Sequence, residues 1–156
     1  MNVIFQQENT LTKENLNCHT YHNLNLAKEY NKLQVIFEYG PKYIEDHKRE
    51  KEIIVDTINK YTEGEDRIRE LKSWEKYKGI KNNITISIDD SNGFRGMAHR
   101  RDQVQKHILS KDEASPGFIK GVIPKGEFIM TVSVHALVTE ECKYKITVVD
   151  LEDDYV

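Results

Sequence analysis

The 156-residue chain carries 23 basic and 26 acidic residues, a net charge of −3, and is 38% hydrophobic and 31% charged. That length suits one domain spanning 1–156 with a core of its own, and the slightly acidic balance argues against a nucleic-acid partner, which calls for a basic surface. No stretch approaches the roughly 18 consecutive apolar residues of a membrane span, and the opening MNVIFQQENTLTKENLN lacks the basic-then-apolar order of a secretory leader. No membrane partner is expected. The expected location is the cytoplasm, with Cys18 and Cys142 as reduced thiols.

Val3, Ile4 and Phe5 make a short β-type run, and residues 9–17 read as a polar turn. Residues 20–26 alternate weakly, with Leu24 and Leu26 on one side. Leu33, Val35, Phe37 and Tyr39 fall on every second position, the pattern of a half-buried strand. Gly40-Pro41 ends that strand, since proline cannot donate to a ladder and restrains the residue before it.

From 43 to about 78 the character changes to dense charge with helical spacing. Ile44, Ile54, Ile58 and Tyr61 form one stripe, widened by Ile53 and Val55; Ile68, Leu71 and Trp74 form a second. Thr62, Glu63 and Gly64 mark the break between two amphipathic helices, whose charges are read as solvated faces.

After Gly79 the β pattern returns. Residues 84–88 and 104–109 are strands. The turns Ser115-Pro116-Gly117 and Pro124-Lys125-Gly126 follow, where proline presets φ and glycine tolerates a positive one. Phe128, Met130, Val132 and Val134 face one way, with Thr131, Ser133 and His135 facing the other. Tyr144, Ile146 and Val148 repeat the alternation, and the acidic tail from 151 is expected to be loose. Many short strands, tight turns and a single helical block predict a mainly β fold. The form expected is an antiparallel β-sandwich or jelly roll with one helical insertion over 43–78.

Motifs of catalysis are few. The chain has no phosphate loop, dinucleotide fingerprint or nucleophile elbow. Cys18-His19-x-x-His22 is half a zinc pattern without a second pair, and residues three apart in a strand point to opposite faces. Arg95, His99, Arg100, Arg101, His107 and His135, with Glu141, are the candidates for an anion or metal pocket. The competing expectation is a polar strand face, with Arg95 satisfying loop carbonyls. Among the tyrosines and Trp74, a sugar-stacking platform is one option. Tyr39 and Tyr144, however, lie on apolar stripes and are expected to pack in the core or at a sheet edge.

Three ordered turns carry a resemblance: Gly93-Phe94-Arg95-Gly96, Ala114-Ser115-Pro116-Gly117-Phe118 and Pro124-Lys125-Gly126-Glu127-Phe128. With the stretch from Ile4 through Tyr21 to the Leu33–Tyr39 strand, and YGPKYIEDHKREKE, they resemble a β-rich accessory domain. That domain precedes the catalytic domain in a bacterial group of metal-dependent phosphoesterases of the PHP (polymerase and histidinol phosphatase) type. Family tryptophans near these turns are Met97 and Phe128 here. The metal-binding H-x-H motif of the catalytic domain has no counterpart, so the resemblance implies no catalytic residue, metal or cofactor for this chain. It implies a non-catalytic module whose partner is a phosphoesterase domain in trans or a second copy of itself. A carbohydrate- or small-anion-binding sandwich is the alternative, and a histidine-based metal hydrolase a third. In this frame the 93–103 run is a connector: Gly93 and Gly96 let the chain turn, Phe94 plugs the sandwich and Arg95 binds carbonyls.

Overall fold

The alternating segments pair into two sheets. A computed structural model describes residues 2–98 and 102–152. Its strands are β1 (Asn2–Thr12), β2 (His19–Leu26), β3 (Lys32–Gly40), β4 (Asn83–Asp90), β5 (Gly93–Met97), β6 (Val104–Ser110), β7 (Gly126–Ala136) and β8 (Glu141–Asp150). They form two four-stranded antiparallel sheets in the orders β1-β8-β3-β6 and β2-β7-β4-β5. The mainly β sandwich with a helical insertion is therefore the observed architecture.

Its core is the set of alternating residues that the sequence marks. Leu33, Val35, Phe37, Ile146 and Val148 of the first sheet join Ile86, Ile88, Phe128, Met130 and Val132 of the second in one fully buried cluster. Tyr39 and Tyr144 belong to the same cluster. Each large apolar side chain so buried contributes about 1.5–3 kcal/mol relative to exposure.

Between β3 and β4 lie α1 (His47–Tyr61) and α2 (Gly64–Lys72), then a short 3-10 turn at Trp74–Tyr77. Asp46 caps α1, its side chain accepting from the Arg49 N–H at 3.1 Å. Ile54 and Ile58 of α1 are buried. So is Glu50, which accepts from the Gly79 N–H at 2.9 Å and the Ile80 N–H at 3.3 Å and so ties the exit of the insertion to its first helix. Those bonds, the one from Gly79 foremost, hold the Glu50 carboxyl below its usual range. The second predicted stripe behaves differently: α2 has no buried residue, and Ile68 is 57% exposed. Its apolar spacing is real, but the cover is partial: Leu71 and Trp74 are half-buried beside α1, whose Lys51 lies over the Trp74 ring, and Ile68 stays exposed.

Two other expectations are corrected. Residues 9–12 are not a turn but the end of β1, which runs unbroken beside β8 from Phe5↔Val148 to Thr12↔Glu141. The 93–97 run is not a loop but the edge strand β5. Its pairing with β4 jumps from Ile88↔Gly96 to Asp89↔Phe94, so Arg95 is the extra, bulged residue. The bulge turns Phe94 outward, where it is 57% exposed instead of filling the core. Arg95 is turned inward.

Candidate functional site

The bulge at Arg95 builds the most connected polar cluster among the described residues. Arg95 is 6% exposed. Its Nη1 donates to Asp90 Oδ2 at 2.7 Å and to the Val122 carbonyl at 3.3 Å. Its Nη2 donates to the carbonyls of Ile119 and Gly121 at 2.8 and 2.9 Å, and Nε to Ile119 at 3.1 Å. A guanidinium has five N–H donors, and these five contacts use them all. The Asp90 side chain is fully buried, and its Oδ1 accepts from the Asn92 N–H at 2.8 Å.

The turn at Pro116-Gly117 closes onto the same strand. The Phe118 N–H donates to Ser115 O at 3.0 Å, and Gly117 has φ +90°, the geometry a Pro-Gly turn provides. Met97 N–H then donates to Gly117 O at 3.1 Å, and Ile119 N–H to Arg95 O at 2.8 Å. The approach is so close that a Cβ on Gly96 would lie 2.3 Å from Gly117 O. Only glycine fits there. Gly126, at φ +114°, closes the third turn, where Ser91 Oγ donates to the Lys125 carbonyl at 3.1 Å. The Gly93–Gly96 and Ala114–Phe118 motifs are thus one interlocked unit, and Arg95 reaches toward the third through Val122.

The remaining described candidates, His107 and His135, do not converge. His99, Arg100 and Arg101 lie outside the described residues. His107 points inward from β6, is 2% exposed, packs on the Phe118 ring at 4.9 Å and bonds Gln105 Oε1 at 2.9 Å. Gln105 Oε1 only accepts, so the contact calls for a hydrogen on Nε2 of the imidazole. His135 points outward from β7, in the other sheet, and its Nε2 meets Thr85 Oγ1 at 2.9 Å. One ion with bonds of about 2 Å cannot reach an imidazole inside the sandwich and another outside it. Among the described residues no group of three or more His, Cys, Asp or Glu side chains is placed to hold a metal.

His19 and His22 separate as strand geometry requires. His19 faces outward, its Nδ1 2.7 Å from Ser133 Oγ. With Tyr21, Thr85, Ser87, Thr131 and His135 it makes the outer face of the second sheet a row of hydroxyls and imidazoles. His22 faces inward and bridges the layers: its Nε2 is 2.7 Å from the Tyr144 hydroxyl, which also accepts from Asn9 Nδ2 at 3.1 Å. Burial lowers the affinity of His22 for a proton and raises the pKa of Tyr144. Sequence reasoning missed this inter-sheet rung, because His22 and Tyr144 stand on strands far apart in the chain and neither has a local motif.

The cysteines do not pair. Cys18 is exposed ahead of β2. Cys142 is buried in β8, where burial pushes its thiol up to about 11. No helix among the described residues is long and apolar enough to cross a membrane.

No family model matches the chain, and neither does any curated protein. Among solved structures it is similar to a protein of Sulfurospirillum deleyianum, at 12% identity and a TM-score of 0.35, over 95% of this chain and 98% of that one. A likeness of that degree decides nothing about this chain.

Proposed function

We propose that the chain is a non-catalytic interaction module of the kind that precedes PHP-type phosphoesterase domains, engaging such a domain in trans or a second copy of itself. The observation that supports this is how the resembling turns are used. They close on one another, and Arg95, their one charged residue turned inward, spends every donor inside the chain. A reaction site needs donors aimed at a ligand, whereas these donors hold a fold. The strand orders β1-β8-β3-β6 and β2-β7-β4-β5 support a jelly-roll wiring, an architecture common in binding domains.

A surface for a partner is offered where the insertion meets the end of the sandwich. A groove of about 910 Å³ there is lined by Ile44, Ile53, Leu137 and Val138 together with the basic Lys13 and Arg49 and the acidic Glu14, Glu45, Asp46 and Glu140. Apolar side chains beside charges of both signs suit an interface with another protein. The test is calorimetric titration of the purified chain with a purified PHP-type phosphoesterase domain from the same genome. Saturable binding, weakened by Ile53→Asp in this chain, is expected. Absence of heat and of co-purification, together with a monomer at every concentration, contradicts the reading.

A second reading, recognition of a carbohydrate or small anion, is favoured by the outer face of the second sheet. Tyr21 is 65% exposed there beside the hydroxyl row, which suits stacking and hydrogen bonding to a sugar ring. A rise in melting temperature with one member of a sugar and anion panel, lost in Tyr21→Ala, is its expected sign.

A further inference from the structure

Every open sheet edge exposes main-chain donors and acceptors, and proteins cover them in recognisable ways. This fold has four edges: β1 and β6 bound the first sheet, β2 and β5 the second. Three are covered. On β1, Gln7 Nε2 donates to Glu8 O at 3.0 Å, Asn9 Oδ1 accepts from Thr10 N–H at 2.9 Å, and Asn15 Oδ1 accepts from Thr12 N–H at 2.9 Å. A bulge between Val3 and Phe5 bends the same strand. On β5, Gly117 and Ile119 take the Met97 N–H and the Arg95 carbonyl. On β6, Ser115 takes both the N–H of Ile108, through Oγ at 2.8 Å, and its carbonyl, through N–H at 2.9 Å.

β2 has none of these devices. Its sequence, HTYHNLNL, holds no Lys, Arg, Asp, Glu or Pro. Its pairing with β7 runs from His19↔Ser133 to Leu26↔Gly126 without a bulge. Among the described residues no side chain or loop meets its outer main-chain groups. Val134 N–H donates to Cys18 O at 3.1 Å, which fixes the phase of the ladder. Thr20, His22 and Leu24 therefore turn their main chain toward β7, and His19, Tyr21, Asn23 and Asn25 turn theirs to the open side.

From this contrast we infer that β2 is a docking edge for β2 of a second copy, joining the two β2-β7-β4-β5 sheets into one continuous antiparallel sheet across a two-fold axis. The pairing is self-complementary. With Asn23 on the axis, Tyr21 of one copy faces Asn25 of the other on the outer side, and His22 faces Leu24 on the inner side. Apolar and polar positions keep their faces, and no like charges oppose each other, which a copy of β1 would impose through Glu8. Tyr21, Asn23 and Asn25 supply about six main-chain hydrogen bonds in this register. The inference gives self-association its surface and rests on the proposed function only for its purpose: titration with a phosphoesterase tests the partner, and the measurement below tests the edge.

The test is sedimentation velocity on the full chain over a range of concentrations, with hydrogen exchange of the amides. A dimer is expected at the upper concentrations, with the Tyr21, Asn23 and Asn25 amides slowing as it forms. Asn23→Pro removes one edge-facing N–H and leaves the β7 ladder whole, so it should halve the observed mass without lowering the melting temperature. Asn23→Lys sets two ammonium groups against each other on the axis while keeping the backbone, and should do the same. A wild-type monomer at every concentration overturns the inference. So does a dimer that persists in the folded Asn23→Lys variant, since it then assembles elsewhere.

Discussion

His22 shows what one side chain does when strands from distant parts of the chain bring it a partner. Its imidazole, inside the sandwich, meets the Tyr144 hydroxyl at 2.7 Å, and burial lowers its pKa from the ordinary 6.5. A group whose folded pKa is depressed contributes stability above its unfolded value, and that contribution is lost as pH falls through the folded one. Unfolding free energy should therefore decline from pH 7 downward through 6.5, and less steeply in His22→Asn than in the wild type; denaturant unfolding at a series of pH values measures the difference. The thiols give a second check at this scale. Cys18 is exposed, whereas Cys142 is 1% exposed with its thiol pushed up to about 11. In the folded protein at pH 8, iodoacetamide should modify Cys18 and leave Cys142 untouched until denaturant is added, as read by peptide mass spectrometry.

At the scale of elements, legibility followed burial. Strands β3, β4, β7 and β8 were readable because one face of each meets the core, which writes a period of two into the sequence. β1 was not readable beyond Phe5. Residues 6–10 are exposed on both faces, so they are a strand through main-chain pairing with β8 and polar side-chain bonds from Gln6 and Asn9, neither of which writes an apolar alternation. β5 hid for another reason: a bulge, two glycines and an edge position leave no alternation to see. The helices divide the same way. Ile54 and Ile58 of α1 are buried as their stripe implies, whereas in the second stripe Leu71 and Trp74 are only half-buried and Ile68 is exposed. Ile58→Ala should cost about 2–5 kcal/mol by leaving a cavity, and Ile68→Asp should stay within about 0.5 kcal/mol of wild type, as at other exposed sites. Chemical denaturation of both variants separates the two helices.

For the whole molecule, the candidate site was partly legible. The outward direction of His135 and the opposite faces of His19 and His22 follow from strand phase alone. The carbonyl-binding role of Arg95 was one of two open readings, and the identity of its carbonyls was not visible, because they sit on a segment 24–27 residues downstream. What emerges is a sandwich whose turns serve as a lock. Arg95 ties β5 to β4 through Asp90 and to the 119–122 segment through three carbonyls. Removing it leaves a fully buried carboxylate without its cation, a loss of about 3–5 kcal/mol for a broken buried pair.

Lysine does not replace it, since one ammonium cannot span three carbonyls and a carboxylate in a planar fork. Thermal unfolding of Arg95→Lys puts the lock to the test most directly. A melting temperature well below wild type, nearly as low as that of Arg95→Ala, is the predicted result. An Arg95→Lys variant as stable as the wild type would contradict it and return this arginine to the list of groups free to bind a ligand.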